Sequence, residues 1–403
     1  MCHECGELQA VVAISPAHEM VCRVCGSLLH SGHGKWLQSA SALAVTAAFL
    51  FIVAQVAPFL TLEIGSQSQT VTILDGFWAL FDRGNWVLAA LVITTIFLFP
   101  LFEISAFLYL LIPYNFNYRL PGQTTLLRWL VQAQAWSMLE VFLLSVVVAS
   151  VKMADMAVLK LEIGAYALFL LVGVLILAFI KMDRRNLWSW INTNNYFTAY
   201  NREYVYDCDI CHAMVGATIV EDEGECPRCQ SKIYKRIPYS MQKTTAFVLA
   251  SIILYIPANV LPIMTYTSLG VVETDTIFSG VVALIGAGLY WIAMVVFVAS
   301  IAVPVMKLII LCYLLLSVYA RWTTGIKHRA FLYRLTEIVG RWSMVDVFVV
   351  TIFTALVQFG FVYTVEPEGA IIAFGAVVVL TMIAAETFDP RLLWDGLEQD
   401  NDQ

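Results

Sequence analysis

Eight of the nine cysteines fall into two sets whose spacing suits metal binding. The first set contains Cys2, Cys5, Cys22 and Cys25, and the second contains Cys208, Cys211, Cys226 and Cys229. In each set two Cys-x-x-Cys pairs flank a loop, which is the spacing of a zinc ribbon. Four thiolates close a tetrahedral site with bonds of ~2.3 Å and leave no position open for a substrate. The sequence therefore predicts two structural Zn²⁺ sites and no catalytic metal.

Disulfide bonds and a thioredoxin-like redox pair are the alternative interpretations of these cysteines. Disulfides form mainly in oxidising compartments, whereas the orientation predicted below puts both sets in the cytoplasm. A redox pair needs two thiols, and each set has four. The ninth cysteine, Cys312, lies in an apolar stretch, where packing is the favoured role.

Seven polar residues are candidates for a transport pathway or polar relay inside a membrane. They are Lys307, Asp346, Asn259, Lys152, Asp155, Glu140 and Ser343. A charge at the centre of a membrane helix costs about 2.5–3.5 kcal/mol on the insertion scale, so each one needs a reason. The alternative is that they pair across helices and fix packing, or extend to the lipid headgroups. Lys307 follows Pro304 closely with no acid within one turn, which suggests binding of an anionic headgroup or transfer of a proton.

The membrane itself is predicted from composition. Hydrophobic residues make up 60% of the 403-residue chain and charged residues 13%, against roughly 25% charged in a soluble domain. Eight apolar segments are long enough for a ~30 Å bilayer core. They are residues 37–60, 86–112, 129–151, 163–181, 244–267, 290–317, 337–363 and 369–387. Residues 71–82 and 276–288 are apolar but shorter, which suits re-entrant or interfacial pieces.

The two halves of the chain carry the same motifs. The segment Trp136–Phe142 recurs as Trp342–Phe348, 206 residues later, and features before it recur at a spacing of 204 residues. Cysteines, prolines and tryptophans do not align in this way by chance, so we interpret the pattern as a duplication. Lys307 falls on Glu103, a residue of opposite charge, which indicates that the halves have diverged.

The predicted fold is an all-α polytopic membrane protein with two tandem four-helix transmembrane units, each preceded by a small cytoplasmic zinc ribbon. The N-terminal ribbon is predicted at residues 1–34 and the first transmembrane unit at 35–190. The second ribbon follows at 200–238, the second unit at 239–395 and a polar tail at 396–403.

Asn259 lies just before Pro262, where we predict either a broken helix lining a cavity or a kinked helix.

Orientation follows from the basic residues, because lysine and arginine concentrate in cytoplasmic loops. Most of the 23 lysines and arginines map to the side of the predicted ribbons and termini, whereas acids dominate the opposite loops. Both ribbons and both termini are therefore predicted to be cytoplasmic. The chain has no stripe of basic residues to indicate nucleic-acid binding.

Three motifs give the chain a resemblance to the paraquat-inducible protein A family. They are Tyr255–Met264, Gly340–Phe348 and Thr387–Asp395, together with the double ribbon. The resemblance covers nearly the whole chain. It implies a subunit of the bacterial inner membrane that passes phospholipid to a periplasmic MCE-domain partner, which forms a tunnel toward the outer membrane. No Walker-type glycine loop is present, so a proton or lipid gradient would supply the energy.

Two other functions compete with lipid transport. A non-transporting anchor would recruit the MCE partner, with the ribbons as docking modules. An intramembrane enzyme or redox protein is the least favoured class, because HExxH, GxSxG and paired haem-binding histidines are all missing. We therefore expect a protein that is not an enzyme.

Overall fold

The computed structural model describes most of the chain, in segments. These are residues 19–24, 26, 28–31, 36–64, 67–134, 136–153, 158–182, 184–192, 205–216, 224–234, 236–268, 271–286, 288, 290–322, 325–356 and 363–394.

The first half of the chain is predominantly helical. Its described helices are α1 (Trp36–Val56), α2 (Ile73–Asp82), α3 (Trp86–Ile93), α4 (Phe99–Asn115), α5 (Gln123–Ala133), α6 (Leu139–Met153), α7 (Ile163–Lys181) and α8 (Arg184–Ile191). A π-helical turn, Thr94–Leu98, joins α3 to α4 without a break. Pro100 follows that turn and has no N–H for the carbonyl four residues earlier, which explains why the helix widens there.

The second half has helices of the same kind in the same order. They are α9 (Ser240–Val260), α10 (Ile277–Gly286), α11 (Tyr290–Phe297), α12 (Val303–Tyr319), α13 (Ile326–Gly340), α14 (Val345–Leu356) and α15 (Gly369–Thr387). Helices α9 to α12 begin 204 residues after α1 to α4, and α14 and α15 begin 206 residues after α6 and α7. A second π-helical turn, Val298–Ala302, precedes Pro304. Two 3₁₀ turns lie at Arg341–Met344 and Pro390–Leu393.

Short strands correct the prediction of an all-α fold. They are β1 (Glu19–Val21), β2 (Leu28–Ser31), β3 (Leu60–Ile64), β4 (Gln67–Val71), β5 (Val158–Leu161), β6 (Val205–Asp207), β7 (Met214–Gly216), β8 (Met264–Ser268), β9 (Val271–Asp275) and β10 (Tyr363–Pro367). β1 pairs with β2 and β6 with β7, and two antiparallel sheets have the orders β4-β3-β5 and β10-β8-β9. In β3 apolar and polar residues alternate, so Leu60 and Leu62 are buried while Glu63 reaches the surface. The predicted spans 37–60 and 244–267 therefore extend too far into these strands.

Seven helical stretches are long and apolar enough to cross a membrane within the described residues. They are Gln38–Val56, Trp86–Asn115, Ile163–Lys181, Ser240–Val260, Ala293–Tyr319, Ile326–Leu356 and Gly369–Thr387. The predicted span 129–151 is not one helix, because α5 ends at Ala133 and α6 begins at Leu139. The stretches 71–82 and 276–288 contain α2 and α10, which are too short to span.

Helices are interrupted at the Trp-Ser-Met motifs, and this was not predicted. Met138 lies between α5 and α6, and its counterpart Met344 ends the 3₁₀ turn between α13 and α14. The Ser343 Oγ donates to the Gly340 carbonyl oxygen at 3.1 Å, which offers that carbonyl a partner outside the α-helical pattern. By contrast, α9 runs through Pro257 and Asn259 and ends at Val260, so the predicted break or kink before Pro262 is the end of the helix.

The halves meet along α6 and α14. The rings of Phe142 and Phe348 pack edge to face with centroids 5.7 Å apart. The Ser145 Oγ donates to the Val345 carbonyl oxygen at 3.0 Å. One hydrophobic core cluster contains buried residues of both halves. We call the end of the bundle with the two three-stranded sheets the sheet end, and the opposite end the cysteine end.

Candidate metal centre and buried lysine site

Four buried cysteines converge at the cysteine end. The Sγ atoms of Cys208, Cys211, Cys226 and Cys229 all lie within 4.8 Å of one another. The Sγ atoms of Cys208 and Cys229 are 3.5 Å apart, and those of Cys211 and Cys226 are 3.6 Å apart. A tetrahedron with metal–sulfur bonds of ~2.3 Å has edges of about 3.8 Å, whereas a disulfide needs about 2.05 Å. This cluster, called the C-cluster below, can hold a metal ion.

Two matching turns position the C-cluster. The His212 N–H donates to the Cys208 carbonyl oxygen at 2.9 Å, and the Gln230 N–H donates to the Cys226 carbonyl oxygen at 2.8 Å. Each turn ends on a left-handed residue, with φ of 53° at His212 and 58° at Gln230. Turned in this way, each Cys-x-x-Cys pair directs two thiols toward the same point.

Polar neighbours of the C-cluster favour thiolate. The Ser231 Oγ lies 2.9 Å from the Cys229 Sγ and 3.3 Å from the Cys208 Sγ, so its hydroxyl can donate to either sulfur. Hydrogen bonds among the thiols, that of Cys211 foremost, lower the pKa of the Cys208 thiol far below its usual range, whereas the hydrogen bonds with Cys208 raise the pKa of the Cys211 and Cys226 thiols. Because the thiolate is the metal-binding form, the cluster is suited to bind a cation.

The first cysteine set is described only at Cys22. Cys22 is buried, and its carbonyl oxygen accepts the Gly26 N–H at 2.9 Å. Gly26 has φ of 75°, so this turn has the same form as the two turns of the C-cluster. Cys2, Cys5 and Cys25 lie outside the described residues.

The C-cluster contacts both halves of the chain. The Asn192 Nδ2, just after α8, donates to the carbonyl oxygens of Pro227 and Arg228 at 3.2 Å and 3.0 Å. From the second half, the Arg391 Nη2 donates to the Asp209 carboxylate at 3.3 Å. The buried cysteines also share a hydrophobic cluster with residues of α4, α5 and α7. The C-cluster therefore joins the two halves at the cysteine end.

Asp389 links the C-cluster region to α9 and α15. Its side chain is fully buried and accepts hydrogen bonds from the Ile237 N–H at 3.0 Å and the Arg391 Nε at 3.1 Å. The Asp389 N–H in turn donates to the Ser240 Oγ at 2.9 Å. In the described residues of the Thr387–Asp395 motif, Asp389 therefore has a structural role.

Lys307 is the buried cation of α12. Its side chain is 2% exposed, and its Nζ makes no hydrogen bond to any described residue. The ammonium packs directly on Gly340 of α13, where a Cβ atom would lie 2.7 Å from the Nζ. Ser343 is also buried and donates to the Gly340 carbonyl oxygen, so Lys307 and Ser343 converge on one glycine. Glu386, near the end of α15, interacts electrostatically with Lys307.

The other candidate relay residues do not join this site in the described part of the structure. Glu140 is exposed in the first turn of α6, and the Asn259 Nδ2 donates to the Tyr255 carbonyl oxygen at 2.9 Å. Lys152 lies near the end of α6 and Asp346 near the start of α14, but their side chains are outside the description. Asp155 lies outside the described residues.

Sequence reasoning missed Gly340 and Glu386. Gly340 has no side chain whose chemistry could draw notice, although it directly precedes the Arg341–Met344 turn. Glu386 is an acid in the last turn of an otherwise apolar helix, and that position was the available signal.

Comparison with known proteins gives matches over nearly the whole chain. The sequence profile described as Paraquat-inducible protein A matches residues 37–192 and 241–398. The chain is 34% identical over 404 residues to "Intermembrane transport protein PqiA" of Escherichia coli K12, covering 98% of this chain and 95% of that protein. It is 30% identical over 400 residues to "Lipophilic envelope-spanning tunnel protein A" of the same strain, covering 99% and 92%.

No solved structure matches the chain. The two profile matches and the full-length relatives confirm the resemblance that the motifs indicated, and the chain belongs to the paraquat-inducible protein A family.

Proposed function

We propose that this protein is the inner-membrane subunit of an intermembrane lipid transport system. It passes phospholipid between the inner membrane and a periplasmic MCE-domain protein. The names of its relatives, an intermembrane transport protein and an envelope-spanning tunnel protein, support this role. The observation that carries the proposal is the Lys307 ammonium, which is buried in an apolar helix with no hydrogen bond to a described residue.

The chemistry of that site suits a lipid phosphate. A buried ammonium without an acidic hydrogen-bond partner is costly, and an anionic ligand would offset the cost. Gly340, which has no side chain, lets the Nζ approach the backbone of α13 closely, and the Ser343 hydroxyl contacts the same glycine. In this proposal Lys307 and Ser343 hold the phosphate, and Asp346, Asn259, Glu140, Lys152 and Asp155 line or extend the pathway, with proton transfer as a second role.

In this proposal, the helices around the site belong to a duplicated fold. Two tandem four-helix units carry parallel sets of helices, and the recurrence of helix boundaries at 204 and 206 residues supports this. The two separate profile matches support it as well. Both zinc ribbons and both termini face the cytoplasm, so the sheet end is periplasmic.

Zn²⁺ is the proposed ion of the C-cluster, since four cysteine thiolates in a tetrahedral arrangement favour it. A second Zn²⁺ is proposed for Cys2, Cys5, Cys22 and Cys25, supported by the matching turn at Cys22. Both ions act structurally, since a closed four-sulfur site offers no place for a substrate.

Position-specific photo-crosslinking in cells tests the function. A photo-reactive residue replaces Asn259 or Val303, which lies one turn before Lys307, and attached phospholipid is detected by mass spectrometry. Matched controls are Ile256 and Ile309, which lie on the same two helices and are 64% and 62% exposed. Labelling at Asn259 and Val303 that depends on Lys307 supports the transporter. Equal labelling at the controls, or none at the test positions, contradicts it.

A non-transporting anchor is the second candidate function. The C-cluster supports it, because a cluster with hydrogen bonds to both halves of the chain could serve as a docking platform. In an anchor, neutralising Lys307 would leave the envelope intact, whereas replacing the cysteines would not.

A further inference from the structure

Two short apolar helices, α2 and α10, carry the same face. Each has ten residues. An isoleucine, a glycine and a leucine recur at the same positions, as Ile73, Gly76 and Leu80 in α2 and as Ile277, Gly280 and Leu284 in α10. Spacings of three and four residues put these three side chains on one side of a helix. We call this side the Ile-Gly-Leu face.

In α2 the Ile-Gly-Leu face is docked. Ile73, Gly76 and Leu80 are all buried. A Cβ atom on Gly76 would lie 3.2 Å from the Thr351 Cγ2 and 4.0 Å from the Ala355 Cβ, so α2 packs closely into a groove of α14. Small residues at such a contact let two helices approach closely inside a membrane.

In α10 the same face is docked only in part. Ile277 is buried, and Leu284 is half-buried and packs against the hydrophobic core. Between them, no described atom lies within 4 Å of the Cβ position of Gly280. The close contact that α2 makes through Gly76 therefore has no counterpart at Gly280 among the described residues.

A groove that matches the face of α10 exists on α6. Ser145 and Ala149 occupy the α6 positions that correspond to Thr351 and Ala355 of α14, 206 residues earlier. Both are small and four residues apart, as in the groove that receives α2. Ser145 and Ala149 are fully buried in the described arrangement, and the Ser145 Oγ donates a hydrogen bond to the Val345 carbonyl oxygen of α14. Docking of α10 on α6 therefore requires α6 and α14 to shift against each other.

We propose that α10 is a gate that has a second position, in which its Ile-Gly-Leu face docks into the Ser145–Ala149 groove of α6. The described arrangement, with α2 docked and α10 docked only in part, is the open state. In this state, the acyl chains of a phospholipid enter from the bilayer beside Gly280. The identity of that ligand rests on the proposed function, whereas the movement of α10 does not.

Disulfide trapping tests the movement directly. In a Cys312→Ser background, Gly280→Cys is combined with Ser145→Cys, and a protease site is inserted between residues 192 and 205. The protein is oxidised in phospholipid vesicles and cleaved, so that only a disulfide keeps the halves together on a gel. The positive control combines Gly76→Cys with Thr351→Cys, which the structure already places in contact. The background chain with no added cysteine gives the baseline.

We expect the Gly280–Ser145 pair to cross-link more slowly than the control pair but well above the baseline. Minor conformers are populated at roughly 0.1–10%, and an irreversible bond accumulates them. No cross-link above the baseline, while the control pair forms its disulfide, would overturn the proposal.

A second variant keeps the test independent of cysteine chemistry. Gly280→Trp fits the open space of the described state but blocks docking on α6. We expect normal thermal unfolding and at least about a tenfold loss of lipid labelling at Val303, because one step of the cycle is removed. Unchanged labelling would contradict the gate. A cross-link without lipid labelling would keep the gate and reject lipid transport, and labelling without a cross-link would do the opposite.

Discussion

The two halves of this protein share an order of helices but differ in how they use it. Glu103 and Lys307 occupy corresponding positions on α4 and α12, both almost fully buried, with opposite charges. The Cβ position of Gly76 lies close to Thr351 of the other half, whereas that of Gly280 has no described atom within 4 Å. A repeated frame with identical halves would give two equal sites. In the described part of the chain, the second half thus holds a buried cation without a hydrogen bond and a short helix that is docked only in part.

Metal removal gives the largest expected effect in this comparison. Cys226→Ser opens the C-cluster, and structural Zn²⁺ binding contributes on the order of 10 kcal/mol to folding in zinc-finger peptides. Because the C-cluster contacts both halves, we expect lower protease resistance in both and the loss of one equivalent of zinc. Cys22→Ser is the matched variant for the first set. If Cys226→Ser binds as much zinc as the parent and unfolds at the same temperature, the C-cluster is not a metal site.

Asp389→Ala comes next. It removes the acceptor of the Ile237 N–H and leaves the mostly buried Arg391 without its nearest carboxylate. Breaking a buried charge pair from one side costs roughly 3–5 kcal/mol. We expect a clearly lower unfolding temperature in detergent, with separation of the second half from the C-cluster seen as faster proteolysis near Ile237. Asp183 lies 206 residues before Asp389 and is the corresponding residue of the first half. If Asp183→Ala lowers the unfolding temperature more than Asp389→Ala does, Asp389 is not the main link to the C-cluster.

Substitutions of Gly76 and Gly280 are expected to change stability by smaller amounts, and by different amounts in the two helices. Gly76→Val pushes a side chain into Thr351, and overpacking of this kind costs typically 1–3 kcal/mol. Gly280→Val enters open space and should leave stability within about 0.5 kcal/mol. Thermal unfolding of the two variants side by side measures this difference. Equal losses would mean that α10 is docked in the same way as α2.

The features that the sequence revealed are those with strong spacing rules. The Cys-x-x-Cys pairs predicted the position of the C-cluster, and seven of the eight predicted spans overlap a helical stretch that is long and apolar enough to cross a membrane. The strands were missed because β3 and β8 directly extend apolar helices, so a hydropathy window merged them with α1 and α9.

Contacts of individual atoms could not be predicted from the sequence. At the interruption between α13 and α14, the Ser343 Oγ donates to the Gly340 carbonyl oxygen, and Gly340 has no side chain that would indicate this contact. Lys307 was singled out by its charge, but only the fold shows that its Nζ rests on Gly340. The partly docked face of α10 likewise has the same three residue types as the docked face of α2, so the sequence alone cannot distinguish the two.

The central claim is that the second half holds lipid at Lys307, and one measurement tests it most directly. The photo-crosslinker at Val303 is compared in the parent chain and in Lys307→Met, with Glu103→Gln as the matched variant of the first half. The Lys307 Nζ has no hydrogen bond to a described residue, and methionine is similar in size to lysine, so Lys307→Met removes the desolvation cost of the charge and should stay folded. The account predicts that Lys307→Met abolishes phospholipid labelling while Glu103→Gln retains it. Full labelling in a folded Lys307→Met protein would contradict the account.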